Sequence, residues 1–457
     1  MTLGSLLKRL TGRTGDNIFD LILRGGAMSF VIRIAGIGFG VLSHIMLSRF
    51  MGASSYGLYA IAIGWCMILA VPSKFGLEYT VLKYASHYIE EGDRKALGRI
   101  IRFSFVFPAI LLFLVGVGLA GVFVVKPDLL GISNLPSLQF SILLIGTLVY
   151  LAIFSAYFRA AKRIFASQFY MQVLRTILLM SGLAAILLLG NELELTQAIA
   201  VTALSALVAL IFLLIHFYFM MKKVMPTKTT ALNKPRRMDT ERDWLHLCGP
   251  VFLIAIVQQL TSQGNIILIG NLIGSDAAGQ YAAAFRLANF IPFALLAIGA
   301  IAAPMIATAY RREDKKELQR IATISARIAF LAGAGLGGVF VLFGKPILSL
   351  FGPDFVPAYG ALIVLSIANI VNAGTGVAGY YLLMTGHQMQ ALYFGVFCLL
   401  LNVTLALVLI PQMGLLGGAT AAAIGLAAFN VLQYMFVRKK MGIDSSVFGG
   451  SKSEKQI

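Results

Sequence analysis

Two arginines stand where an arginine is costly. Arg33 and Arg286 each lie inside a long apolar run. A charge in such a run costs about 2.5–3.5 kcal/mol if the run crosses a bilayer. Gly26, Ser29, Arg33, Gly40 and His44 fall on one helical stripe about 60° wide, a small and polar face on an otherwise apolar segment. Two readings fit. In one, the stripe lines a water-filled path and Arg33 binds an anion, because a guanidinium meets phosphate through two parallel hydrogen bonds. In the other, Arg33 pairs with a carboxylate or snorkels, and the glycines are close helix contacts. One Arg in each half of the chain, facing a shared cleft, suits a substrate with two negative groups, such as a diphosphate.

Uncharged polar residues form further sets. Gln258, Thr261, Ser262 and Asn265 share a stripe, Asn369 and Asn372 sit together above Gly376, and Asn402, Asn430 and Gln433 follow. Either they hydrogen-bond sugar hydroxyls or a headgroup, or they bond between helices at about 0.6 kcal/mol each. Glu78, in "SKFGLEYTVLKYASHY", either carries a proton or Na+ or pairs with Lys74 or Lys83. His44 titrates in a useful range and is the other candidate for ion coupling; its alternative is a packed histidine. There is no GxxxxGK[ST] phosphate loop, no HExxH, no paired Cys or His metal set and no Ser–His–Asp order on a loop. The expectation is therefore no built-in ATPase, no metal, no cofactor and no enzymatic activity.

The elements that must position these residues come from the composition. The chain is 59% hydrophobic and 12% charged, against about half and a quarter for soluble domains. Cys66, Cys248 and Cys398 lie in apolar runs, so no disulfide framework is expected. No cleavable signal is expected at the N-terminus. Twelve apolar runs are long enough to span a membrane: 26–48, 56–77, 103–125, 138–158, 168–190, 196–221, 246–272, 280–309, 325–344, 357–384, 390–410 and 415–437. Each must be a helix, because lipid offers no partner for an open backbone. The stretch 79–102 reads as an amphipathic helix lying on anionic lipid headgroups.

The net charge of +18 invites a nucleic-acid reading, but the distribution opposes it. Of the 37 Lys and Arg, 32 fall at the termini or in connections on one side, counting Arg175 in the fourth-to-fifth connection. Arg49, Lys126 and Lys345 fall on the other side. Basic connections stay in the cytoplasm, so both termini are expected there, and no nucleic acid is expected as a partner.

The chain also repeats itself. "LSRFMGASSYGLY" (47–59) returns as "IGNLIGSDAAGQY" (269–281), placing Gly52 on Gly274, Gly57 on Gly279 and Tyr59 on Tyr281. "DRKALGRI" (93–100) returns as "DKKELQRI" (314–321). Six spans per copy is an even number, so both copies enter the membrane in the same sense and an axis along the membrane normal relates them. Gly52 and Gly57 are expected to make a tight turn between the first two spans. Neither Arg33 nor Arg286 is repeated. Pro108, Pro250, Pro292 and Pro304 are candidate helix breaks. The expected organisation is all-α and polytopic. A six-helix lobe (1–221), a basic linker (222–243), a second six-helix lobe (244–438) and a tail (439–457) make two pseudo-symmetric lobes around a central cavity.

"RIAGIGFGVLSHIMLSRFMGASSYGLYAIAI", "FGLEYTVLKYASHYIEEGDRK", "IGNLIGSDAAGQYAAAFRLAN" and "PMIATAYRREDKK" resemble the polysaccharide flippases of the multidrug/oligosaccharidyl-lipid/polysaccharide exporter (MOP) superfamily, in the O-antigen and exopolysaccharide branch. The resemblance implies a MATE-like V of two lobes around a cationic cavity. It implies alternating access that carries an undecaprenyl-diphosphate-linked oligosaccharide outward across the inner membrane, with H+ or Na+ as the coupling ion. A polysaccharide polymerase and chain-length proteins are the implied protein partners. The family's first-span Arg falls on Arg33, its basic residue after "FGL" on Lys83 and its eighth-span Arg on Arg286; its seventh-span acid is here Asn265. Lipid II flippases of the superfamily have fourteen spans, which favours the polysaccharide branch. The competing readings are a multidrug or cation antiporter, which should line its cavity with acids, a membrane-embedded polymerase or transferase, and a non-transporting scaffold.

Overall fold

The structure, a computed structural model, describes residues 16–132, 134–190, 193–224 and 240–449, without the side chains of 16–34, 37, 127, 128 and 300. The N-terminal 15 residues, most of the linker and the last eight residues of the expected tail lie outside the described residues. The described chain is helical: α1 Asp16–Lys74, α2 Leu77–Glu91, α3 Arg94–Val125, α4 Leu135–Ala160, α5 Ile164–Gln168, a π turn Phe169–Leu174, α6 Arg175–Leu188, α7 Leu195–Val224, α8 Glu241–Ile273, α9 Ser275–Ala288, α10 Phe293–Arg311, α11 Lys315–Ser349, α12 Tyr359–Gly374, α13 Ala378–Met384, α14 Gln388–Met413 and α15 Leu415–Met441. Among the described residues ten helices are long and apolar enough to cross a membrane, or eleven if the bent pair α9–α10 is one span. That count falls short of the twelve expected, because residues 38–74 enter it as one helix. The helix is nonetheless broken at Gly52 (φ 72°, ψ 174°).

Phe113, Leu114 and Val117 on α3 and Ile211, Phe212 and Ile215 on α7 are exposed. Such apolar surface is stable only in lipid. The chain is a multi-pass membrane protein.

Both sequence echoes correspond to repeated local structure. Gly274 (φ 114°, ψ 166°) ends α8 where Gly52 breaks α1, and a left-handed backbone favours glycine at both. Gly57 does something else: it lies inside a helix and meets its own repeat mate. A Cβ on Gly57 would overlap the Ser275 carbonyl oxygen and stand 2.9 Å from Gly279 N, while one on Gly279 would overlap the Ala53 carbonyl and stand 3.0 Å from Gly57 N. Ala53 is the repeat mate of Ser275, so the contact is reciprocal, as across a two-fold axis. Ser54 Oγ and Ser275 Oγ lie 2.8 Å apart beside it.

The second echo is a helix cap. Asp93 accepts from Ala96 N at 2.9 Å and Asp314 from Glu317 N at 3.0 Å, starting α3 and α11. Gly92 (φ 69°) ends α2 just before, so 79–102 is two helices rather than one. Loss of such a cap costs about 1 kcal/mol. Asp93→Ala and Asp314→Ala are each expected to lower the melting temperature of the purified protein, with additive effects because the sites are distant. A double variant that melts with wild type would remove the caps from the account.

Pro108, Pro250 and Pro304 sit inside continuous helices. Only at Pro292 does the chain break, with a 41° bend between α9 and α10. The end of α1 and the start of α2 pack on α8: Phe75 stacks on Phe252 at 4.9 Å, Thr80 Oγ1 is 3.1 Å from Cys248 Sγ, and the buried Trp244 donates to Tyr88 Oη at 3.3 Å. After α15 the chain folds back, with Val447 N donating to Gly374 O at 3.0 Å and Gln319 Nε2 to Asp444 O at 2.7 Å. The first half of the expected tail is therefore docked.

Candidate functional site

A cluster of polar and aromatic groups gathers where α1 and α9 meet, with α7 beside them. Arg286 lies in the last turn of α9, three residues before the bend. A cation there is favoured by the negative end of the helix dipole. Its Nη1 donates to Tyr56 Oη at 2.6 Å, and its guanidinium lies 5.6 Å from the Tyr56 ring centre. Tyr56 stacks on Tyr59 at 6.2 Å, and His44 faces both rings at 6.2 and 6.4 Å. Tyr59 Oη is 3.0 Å from Thr202 Oγ1 on α7. The break at Gly52 lets the first arm of α1 bring His44 to the two tyrosines of the second.

Arg286 thus stands against a neutral phenol and a histidine, not a carboxylate. No Asp or Glu occurs between Asp276 and Glu313, between Asp20 and Glu78 or between Asp128 and Glu192. A half-buried guanidinium with one neutral partner keeps donors free for an anion.

The other sequence candidates are distributed more widely. Arg33 lies in α1, and its side chain is outside the described residues. Lys83 is exposed on α2, its ammonium 5.5 Å from the Tyr84 ring. Glu78 binds Lys74 through Oε1 at 2.6 Å, the pairing that was one of its two readings, while its Oε2 is buried without a hydrogen-bond partner among the described residues. Asn265 Nδ2 donates to Asn402 Oδ1 at 3.3 Å, a bond between α8 and α14, and Asn265 Oδ1 is buried without a hydrogen-bond partner among the described residues. Asn369 is buried and donates to Leu365 O at 3.0 Å on its own helix. Asn372 is half-buried and Gln258 exposed; an exposed amide at membrane depth needs water or a ligand.

Two features escaped the sequence reading. Tyr56 has no repeat mate, since position 278 is Ala, and only the fold places its hydroxyl on Arg286. Arg175 was counted with a basic connection, yet it opens α6 inside the membrane-long segment Ile164–Leu188. Its position within the apolar run 168–190 was the available signal.

Residues 22–309, more than half of the chain, match the family described as "Polysaccharide biosynthesis protein". The chain belongs to that family. Residues 250–408 also match the family described as MatE. Among curated proteins, the chain is 21% identical over 92% of its length, and 84% of the other's, to the "Probable low-salt glycan biosynthesis flippase Agl15" of Haloferax volcanii. It is 26% identical to the "Probable flippase AglR" of the same organism, over 37% of this chain and 36% of that one. Among solved structures it is similar to an inward-facing multidrug resistance MATE family transporter of the MOP superfamily, with a TM-score of 0.69 and 15% identity, over 90% of this chain and 98% of that one. The fold is that of the MOP superfamily, and the chain is a multi-pass membrane protein of the polysaccharide biosynthesis family.

Proposed function

We propose that the chain translocates an undecaprenyl-diphosphate-linked oligosaccharide from the cytoplasmic to the outer leaflet of the inner membrane by alternating access. The observation that carries this reading is Arg286, held on Tyr56, with no Asp or Glu in the stretches 21–77 and 277–312 that contain the two residues. A cationic drug would be repelled there, and a diphosphate attracted. The physical problem also fits: a diphosphate sugar cannot cross hydrocarbon without partners for its charges and hydroxyls. The two lobes are residues 1–221 and 244–438, both termini are cytoplasmic, and the polyprenyl tail stays in lipid while the headgroup moves. Arg33 is the second cation of the sequence reading, and Lys83 meets the anion at the cytoplasmic mouth. Gln258 meets sugar hydroxyls. H+ or Na+ drives the cycle, anionic lipids lie on the basic face, and the protein performs no covalent chemistry.

The test is flipping of a fluorescent undecaprenyl-diphosphate oligosaccharide in proteoliposomes. Leaflet exchange dependent on the protein and on an ion gradient is the expected result. A protein inert on such lipids that expels cationic dyes would sink the reading.

A further inference from the structure

Two spans of the second lobe break at one level. α9 and α10 part at 289–292 with a 41° bend, and α12 and α13 part around Gly376 (φ 73°). Gly333 on α11 marks the shared level: a Cβ there would stand 3.1 Å from Ala373 Cβ at the end of α12 and 3.5 Å from Ile291 Cγ2 in the bend. α11 itself carries Gly333, Gly335, Gly337 and Gly338 at this height, and glycine weakens a helix where it stands. The first lobe has no such level. By the offset of Tyr59 from Tyr281, the two breaks map near Ala70 and Phe154, inside continuous helices. Past the breaks, α10 and α13 pack on each other. A Cβ on Gly299 would overlap the Tyr380 ring, and Tyr380 Oη donates to Leu296 O at 3.5 Å. Ile306 of α10, Leu318 of α11, Tyr381 of α13, Val437 of α15 and Ile443 just after it form a small buried core of their own. Leu287 of α9 and Leu362 of α12, on the far side of the breaks, belong to the main core.

A broken span leaves backbone groups that lipid cannot satisfy. The first break satisfies its own, with the amides of Asn289, Phe290, Ile291 and Phe293 all donating to carbonyls just before them. The second draws on the tail: Val447 N donates to Gly374 O at 3.0 Å and Ser445 Oγ to Thr375 O at 3.1 Å. Ser445 is buried, and a Cβ on Gly376 would overlap its carbonyl oxygen. The same segment is tied to α11 in both directions, Gln319 Nε2 to Asp444 O at 2.7 Å and Asp444 N to Gln319 Oε1 at 2.8 Å. We propose that α10, the first half of α11 and α13 form one body hinged at the level of Gly333, and that residues 443–449 are the strap that clamps α13 to α11 within it. Hinges are a few element-terminal residues that absorb a backbone change, and a body with its own core moves without dismantling the main one. Arg286 ends α9 three residues before the first break, so the swing reshapes the space beside the guanidinium without moving it. The device is independent of what the chain carries.

The experiment measures distances between spin labels by electron paramagnetic resonance on the full chain in phosphatidylcholine nanodiscs. Cys66, Cys248 and Cys398 are buried, so labels go to cysteines introduced at the exposed Ile301, Leu342, Ile367 and Met384. Met384 lies about 12 Å along the helix from Gly376, and a swing of about 15° moves it about 3 Å. The pair Met384–Leu342, across the hinge, should therefore be spread about 3 Å wider than Ile367–Leu342, which lies on one side of it. Ile301–Met384, within the body, should stay narrow. Equal spreads for Met384–Leu342 and Ile367–Leu342 would overturn the hinge. Gln319→Ala with Ser445→Ala removes the strap's side-chain bonds and should broaden Ile301–Met384 to match Met384–Leu342; an unchanged Ile301–Met384 would overturn the strap. If that variant does not fold, hydrogen exchange of wild type decides. Peptides from 443–449 and from α13 should exchange together, about fivefold or more slower than an unprotected chain, the worth of one hydrogen bond. A segment 443–449 that exchanges as free chain defeats the strap.

Discussion

Arg286→Ala should lower flipping of a diphosphate-linked oligosaccharide by about 100-fold while the protein still folds. Hydrogen bonds to charged groups contribute about 1.5–3 kcal/mol each, and the higher figure corresponds to a factor above 100. The fold should survive because two effects oppose one another. Removing the guanidinium relieves a membrane cation that costs about 2.5–3.5 kcal/mol on insertion scales. It also strands the buried Tyr56 hydroxyl, which now accepts at 2.6 Å, at about 1–3 kcal/mol. The expected signature is therefore an inactive protein that melts near wild type. Arg286→Lys keeps the charge but loses the planar fork and should retain partial activity. Tyr56→Phe should cost less than Arg286→Ala, since the cation remains. Proteoliposome flipping beside thermal unfolding measures both quantities. Full activity in Arg286→Ala would end the anion-site account, and loss of activity accompanied by collapse of the fold would make Arg286 structural.

The second large effect belongs to the glycine pair. Gly57→Ala or Gly279→Ala puts a methyl group into the carbonyl oxygen of Ser275 or Ala53. The clash is backbone on backbone, so no flexible side chain can yield. Overpacking of a close contact costs about 1–3 kcal/mol, and here the helices bearing α1 and α9 must separate to relieve it. In a membrane, helix association depends on such close approach because hydrophobic burial adds little between lipid and protein. The expected result is a marked fall in folded yield and in melting temperature, whereas Gly264→Ala, with open space at its Cβ, should behave as wild type. Equal melting of Gly57→Ala and Gly264→Ala would show that the reciprocal contact is not what joins the repeats.

Much of the architecture was legible in the residues, and the reason is local. An apolar run of about 20 residues can only be a helix in lipid. A repeated glycine with a left-handed backbone and a repeated Asp before a helix carry their conformations with them, which is why Gly52 matches Gly274 and Asp93 matches Asp314. Arg286 was visible as a misplaced charge. Glu78 was visible as one half of an i,i+4 pair with Lys74, and the structure forms it.

Other features depended on how distant helices meet. Gly57 looked like part of a turn, because a glycine's tolerance of left-handed backbone and its lack of a side chain are the same residue in sequence. Packing against Gly279 shows that the second property is the one used. The fifth span held Arg175 in plain view, but charge counting assigns a cation near a span's end to the nearest connection. Whether it faces lipid, a connection or the cavity depends on the π turn and on the crossing of α1 over α6. Sequence alone thus determined the class, the repeat and one misplaced cation, all read from residue types and their spacing along the chain. Tertiary structure decided which phenol holds that cation, because that contact joins residues 230 positions apart, and no local rule sets the rotation of one membrane helix against another.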